Sequence, residues 1–225
     1  MGNPVPVHRL SKKELIWLAS HYCKHRVPYI SHYSCYLKEH PEEGERIGFL
    51  DIETSNLHAD FGIILSYCIK DSWSDKIYEA VISAKDVKRS GEEDVEIVKK
   101  CIKDMGKFDR LVTYYGKRFD IPFIRTRALV CKIPFPEYGT LVHTDLYDTV
   151  KHRFRLHSNR LEAACRTILG KTDKTHIDPK YWRGGLRGDP KSLRYILDHN
   201  RKDVLDLEKL YNVVAKFSRK TNNSI

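Results

Sequence analysis

Phe49-Leu50-Asp51-Ile52-Glu53-Thr54 reads as a strand with two acids set into it. In a strand, residues i and i+2 project to the same side, so Asp51 and Glu53 leave one face together. Their neighbours Phe49, Leu50 and Ile52 are apolar, which marks a buried, central strand over Ile47–Thr54. Two like charges at such a place repel unless a cation lies between them. A hard divalent ion that prefers oxygen ligands, Mg²⁺ or Mn²⁺, meets that need. The alternative is a solvated strand end, since isolated acid-x-acid pairs are common.

Outward from this strand the pattern is regular. Residues 61–69 and 76–83 read as strands joined through the turn-like Asp71-Ser-Trp-Ser-Asp75, a meander with the first. Val95, Val98, Ile102 and Met105 recur at helical spacing over 92–105. Leu111–Tyr115 is a short strand. Asp120 starts a helix with Pro122 in its first turn, where proline is tolerated. Residues 141–145 make a fifth strand. Helices are expected over 145–153, 158–169 ending at Gly170, 191–197 and 199–218, with Ser158-Asn159 capping the second of these. Residues 171–189 read as a polar, Gly-rich loop. Upstream, Ser11 and Glu14 form a capping box for a helix over 11–22, followed by irregular chain to about 44. A meander, then alternating helix and strand, then helices, is an α/β layout with a mixed sheet.

Two further acids stand out. Asp120 follows a strand and Gly116 and opens a helix, where an ordinary N-cap is the plain reading. His199 and Asp203 are four apart on one helix and share a face. The apolar stripe there is Val204, Leu207, Leu210, Val214 and Phe217, and Asp203 lies at its edge. A carboxylate leaning into the core wants a cation; a surface one would pair with Arg201 or Lys202.

Taken in order, Phe-Leu-Asp51-Ile-Glu53-Thr54, then Tyr-Gly-Lys-Arg-Phe-Asp120-Ile-Pro, then His199-x3-Asp203-Val resemble the DEDD superfamily of 3′→5′ exonucleases on a ribonuclease H-like fold. The middle motif is similar to that of the proofreading domain of family B DNA polymerases. The resemblance runs from about Ile47 to Tyr211. It implies a five-stranded mixed β-sheet flanked by helices. It also implies that Asp51, Glu53, Asp120 and Asp203 hold two divalent metals, one activating a water and the other stabilising the leaving 3′ oxygen. Proton removal would fall to His199, whose ordinary pKa suits a base near neutrality. The chain departs from the family in one respect. Members carry Tyr-x3-Asp or His-x4-Asp; this chain has histidine in the tyrosine spacing. His199 is then a base, a water-orienting group or a substrate contact, and Tyr195 is a weaker alternative. The expected activity is 3′→5′ hydrolysis of single-stranded DNA or RNA. The alternatives are a structure-specific endonuclease of the same fold and an inactive nucleic-acid-binding module.

Charge agrees with a polyanionic partner. The 225-residue chain carries a net +10, and its excess is local. Residues 1–150 balance 22 basic against 22 acidic side chains; residues 151–225 carry 18 against 8. Within the basic third, Arg153, Arg155 and Arg160 are candidates for phosphate contacts. Phe154, Tyr181 and Trp182 are candidates for base stacking, against core packing and loop anchoring. The Gly-Lys-Ser/Thr phosphate cradle is absent, so ATP use is not expected. No apolar run approaches the length of a membrane span, no apolar signal core opens the chain, and a cytoplasmic location is expected.

Of the six cysteines, Cys68, Cys101, Cys131 and Cys165 sit among apolar residues and read as small buried hydrophobes. Cys23, His25, His32 and Cys35 instead put four zinc-type ligands within thirteen residues. Their spacing is not that of a standard zinc finger; the alternative is a Tyr/His-rich packing loop. The expected organisation is therefore an N-terminal extension over 1–44, with a candidate zinc site, followed by a nuclease domain over 45–225.

Overall fold

The computed structural model describes residues 10–40, 44–89, 91, 93–172, 178–218 and 225. The chain divides into two compact units, Met1–Arg46 and Ile47–Ile225. In the first, α1 (Lys12–Ser20) starts at Ser11, whose hydroxyl accepts from the Glu14 N–H while the Glu14 carboxylate accepts from the Ser11 N–H. The stretch expected to be irregular contains a second helix, α2 (Tyr33–Glu39). A helix this short, flanked by histidines and rich in tyrosine, has little apolar periodicity to show.

The second unit is built on one mixed sheet of β1 (Ile47–Thr54), β2 (Ile64–Asp71), β3 (Ile77–Val81), β4 (Arg110–Thr113) and β5 (Val142–Asp145). Its strand order is β3-β2-β1-β4-β5. The meander β1–β2–β3 is antiparallel, and β4 and β5 add in parallel on the other side of β1. The strand with the two acids is therefore central. The expected second strand moves by a few residues, because Phe61 lies exposed in the turn before it.

The helices are α3 (Val95–Met105), α4 (Asp120–Val130), α5 (Leu146–Arg153), α6 (Leu161–Leu169), α7 (Pro179–Gly185) and α8 (Pro190–Val214). Glu92, where the third helix was expected to begin, lies outside the described residues. Four expectations are corrected. The stretch expected as loop over 171–189 holds α7, started by Asp178 as N-cap and Pro179 in the first turn. The two expected helices over 191–197 and 199–218 are one, capped by Asp189, whose carboxylate accepts from the Ser192 N–H. Its polar middle, Asp198-His-Asn200, contains no helix breaker, and His199 and Asn200 are buried there. The helix ends at Val214, leaving Phe217 half-exposed in a 3-10 turn rather than on the core stripe. Finally, Asn159 does not cap α6. Its carbonyl accepts from the Tyr114 hydroxyl, and Arg160 is the N-cap residue, with no side-chain cap bond.

Alternation along β1 divides the core. Leu50 and Ile52 pack on one side with Val98, Met105, Ile121 and Ile124 of α3 and α4. Ile47 and Phe49 pack on the other with Val150, Leu161, Val204, Leu207 and Leu210 of α5, α6 and α8. Asp51 and Glu53 continue the second face, so they turn toward α8. Gly184 lets α7 lie on α8, because a Cβ there would collide with the Ser192 side chain. Cys68, Cys101 and Cys165 are fully buried, as small hydrophobes would be, and Cys131 is half-buried. Among the described residues no helix is long and apolar enough to cross a membrane.

Candidate active site

Three elements meet at the C-terminal end of β1. The first is β1 itself, carrying Asp51 and Glu53, both partly exposed. The second is α8. Phe49 meets Tyr211, Asp51 meets Asn200 and Glu53 meets His199, so the helix runs against the strand direction. His199, Asn200 and Asp203 are all buried, on the same stripe as Val204 and Leu207. Asp203 thus sits inside the stripe and not at its edge. The stripe turns polar for one helical turn, where it faces the two acids. Arg201 does not pair with Asp203; it clamps Glu79 of β3 and bonds Asp198.

The third element is α4. Asp120 is its first helical residue and not its N-cap, which is Phe119. The register of β1 with β4 stops at Phe49 against Val112, and β1 continues beyond it. There the Ile52 N–H donates to Asp120 Oδ1 at 3.1 Å. Asp120 is therefore tied to the residue between Asp51 and Glu53.

The tightest group is Glu53, His199 and Asp203, each offering a ligand atom within 4.8 Å of the others. His199 Nε2 lies 3.7 Å from Glu53 Oε1 and 3.8 Å from Asp203 Oδ2. Asp51 and Asp120 stand outside that group but adjoin it. Asp51 Oδ2 accepts from Asn200 Nδ2 at 2.6 Å. Asn200 is fully buried, and its Oδ1 has no hydrogen-bond partner among the described residues. Four carboxylates, an imidazole and a buried amide oxygen make an oxygen-rich donor set of the kind hard divalent ions take.

A cleft of about 490 Å³ adjoins Asp51, lined also by Tyr114, Tyr115, Tyr147, Asn159, Arg160, Leu161 and Glu162. Its Tyr115 wall is held by Asp145, at the end of β5. That carboxylate accepts from the backbone N–H groups of Tyr115 at 2.7 Å, Lys117 at 3.1 Å and Tyr147 at 3.1 Å. Burial pushes the Asp145 carboxyl above its ordinary range, against the pull of those three donors. Tyr115 adopts a positive φ of 70°, and Gly116 follows because a Cβ there would strike the Thr113 side chain. Arg118 lies 5.5 Å from the ring centres of both Tyr115 and Tyr147 and pairs with Asp148 at 3.0 Å.

The basic segment behaves unevenly. Arg160 reaches the cleft, while Arg153 and Arg155 are exposed at the end of α5 and just beyond it. Phe154 is half-buried and packs edge-on against Phe217. Trp182 packs with Leu193 and Ile196, and Tyr181 stacks on Tyr195. Sequence reasoning did not single out Asn200, Asp145, Tyr115 or Tyr147. Tyr115 was within the quoted middle motif, but its exposure was not readable.

Comparison with known proteins agrees with the architecture. The family described as RNase_H superfamily matches residues 48–215. The uncharacterized protein YprB of Bacillus subtilis strain 168 is 29% identical over 119 residues, 47% of this chain and 27% of that protein. The family B DNA polymerase of the archaeon Pyrobaculum calidifontis superposes with a TM-score of 0.62 at 16% identity, over 75% of this chain and 24% of that one. The chain thus spans about a quarter of the length of each.

Proposed function

The chain belongs to the RNase_H superfamily, a nuclease-type fold, and on that premise we propose that it is a metal-dependent 3′→5′ exonuclease acting on single-stranded nucleic acid. The observation that carries this reading is the meeting of Asp51, Glu53, Asp120, His199 and Asp203 from three elements beside one tyrosine-lined cleft that Arg160 reaches. Asp51, Glu53, Asp120 and Asp203 would hold two divalent ions, Mg²⁺ or Mn²⁺. Bound there, such ions would supply a nucleophilic water at neutral pH and stabilise the leaving oxygen. The chain's own residues do the rest. Asn200 fixes Asp51 through its amide N–H. His199 orients the attacking water and accepts its proton at Nε2. Tyr115 and Tyr147 offer faces for terminal bases, and Arg160 and Arg118 offer positive charge for backbone phosphates. A cleft of about 490 Å³ is within the usual range for small-ligand pockets and has room for the end of a strand.

The test is degradation of 5′-labelled linear and internally labelled circular single strands, DNA and RNA, with Mg²⁺ or Mn²⁺. Stepwise shortening of the linear strand and no attack on the circle are expected. Asp51→Asn should abolish shortening while leaving the thermal melt unchanged. Full activity in D51N would overturn the site, and cleavage of the circle would make the enzyme an endonuclease.

A further inference from the structure

The first unit holds a second constellation that the nuclease reading does not use. We infer that Cys23, His25, His32 and Cys35 bind one structural zinc ion.

Two short pieces of chain present these ligands. In the first, the Cys23 N–H donates to the Val27 carbonyl at 3.0 Å and the Arg26 N–H to the Cys23 carbonyl at 2.8 Å. Arg26 takes a left-handed φ of 57°, and Tyr22 and Pro28 close the turn with an antiparallel bridge. This tight turn turns Cys23 and His25 to the same side. In the second, His32 is the N-cap of α2 and Cys35 lies in its first turn, with the Cys35 N–H donating to the His32 carbonyl at 2.9 Å.

The four ligand atoms lie within 4.8 Å of one another. Cys23 Sγ is 3.2 Å from His32 Nδ1 and 3.7 Å from His25 Nδ1, and Cys35 Sγ is 3.3 Å from His25 Nδ1. With Zn–S near 2.3 Å and Zn–N near 2.0 Å, the corners of a tetrahedron sit about 3.3–3.8 Å apart. The closest pairs already have that spacing. Thiolate with imidazole in a tetrahedral set selects zinc over Mg²⁺, Mn²⁺ or Ca²⁺, which take oxygen.

The size of the unit supplies an independent reason. Among the described residues its buried apolar set is Leu18, Cys23, Tyr29 and Cys35, with Leu10, Tyr33 and Tyr36 packed against it. Half of that small core is thiol. A unit spanning Met1–Arg46 falls in the size range, below about 70–80 residues, where small domains commonly add a metal, disulfides or a partner to a limited core. Neither cysteine is in a disulfide, so no such bridge serves here. Zinc joining the turn to the helix supplies the missing constraint, with all four positions filled by protein, as in structural rather than catalytic sites.

The alternative is a set of thiol–imidazole hydrogen bonds with no metal. The two are separated on the reduced 225-residue chain by elemental analysis and by cobalt exchange. One zinc per chain is expected in the wild type and equally in Asp203→Asn, which leaves this unit intact. The double variant Cys23→Ser, Cys35→Ser should fall below about a tenth of that. Co²⁺ added to the stripped wild type should give thiolate-to-cobalt charge-transfer absorption and the strong visible bands of a tetrahedral ion at one equivalent. Zinc retained in the double-serine variant, or a stripped wild type giving neither zinc uptake nor cobalt–thiolate bands, would overturn the site. The cobalt measurement is made on the wild type, so it decides the matter even if the variant does not fold.

Discussion

Replacing Arg127 with methionine should destabilise the second unit by about 3–5 kcal/mol, the usual cost of breaking a buried ion pair from one side. Arg127, on α4, is 6% exposed, and Asp94 is fully buried. The guanidinium grips that carboxylate with two bonds, Nε to Oδ2 at 2.9 Å and Nη2 to Oδ1 at 2.7 Å, and its Nη1 donates to the Ala59 carbonyl at 3.1 Å. The hydrogen bonds to Asp94 raise the Arg127 pKa further, so the group stays charged at any working pH. Asp94 also accepts from the Ile64 N–H, so one carboxylate ties the start of α3, the first residue of β2 and α4 together. Methionine fills the space of the aliphatic stem but leaves the buried Asp94 carboxylate with the Ile64 N–H and the Cys131 thiol as its remaining partners among the described residues. For a unit of this size, about 2–4 °C per kcal/mol gives a midpoint lower by roughly 6–20 °C. Urea and thermal unfolding followed by circular dichroism would measure it. The control is Asp94→Asn with Arg127→Met, which removes the stranded charge and should recover about 2 kcal/mol. A single variant within about 1 kcal/mol of wild type, or a double variant no better than the single, would refute the reasoning.

Three further outcomes follow from the same structure. His199→Ala should lower the single-turnover rate by about 10²–10⁴-fold, the usual worth of a positioned acid–base group. His199→Tyr should stay within about tenfold of wild type if orienting the water is the main contribution; an alanine variant at the wild-type rate would remove His199 from the chemistry. Asp145→Asn would turn an amide toward backbone N–H donors, release the Tyr115 wall, and raise KM for short strands about tenfold with less effect on kcat; unchanged KM would refute this. Stability should also fall with acid through His143. Its Nε2 lies 2.9 Å from Thr113 Oγ1, and burial, aided by Lys117 and Arg110, lowers its pKa from 6.5 to about 4. As pH drops from 6.5 toward 4 the unfolded chain takes up the proton and the folded chain does not, so up to about 3 kcal/mol is lost across that window. Below it the loss stops growing. His143→Gln should flatten that slope in melts between pH 7 and 4.

Much of the fold was legible because its signals are local. An apolar run broken only by acids at i and i+2 marks β1, helical spacing marks α3, and Ser11 with Glu14 marks the start of α1. The misreadings have physical causes. The start of α7 rests on Asp178 and Pro179 inside a stretch rich in glycine and basic residues, so its composition argued for a loop. The join within α8 was hidden because Asp198, His199 and Asn200 look like a polar break, yet the last two are buried against acids from another part of the chain. The stacking candidates were chosen from the basic third, but the exposed tyrosine beside Asp51 is Tyr115. Exposure belongs to the packed molecule and leaves no mark in the residue's own neighbours.

The sequence by itself determined that Asp51 and Glu53 leave one face of a central strand, that His199 and Asp203 share one face of a helix, and that Cys23, His25, His32 and Cys35 are close along the chain. The first two are statements about period, which backbone geometry sets within a few residues, and the third is a statement of chain separation. Only the tertiary structure decided that α8 runs against β1 so that Asn200 meets Asp51 and His199 lies between Glu53 and Asp203. Only it tied Asp120 to the Ile52 N–H and walled the cleft with a loop hung from Asp145. Apart from the helical turn that sets His199 against Asp203, these contacts join residues tens to well over a hundred positions apart. Their geometry depends on how two faces of one sheet bury their apolar stripes, and no local pattern contains it.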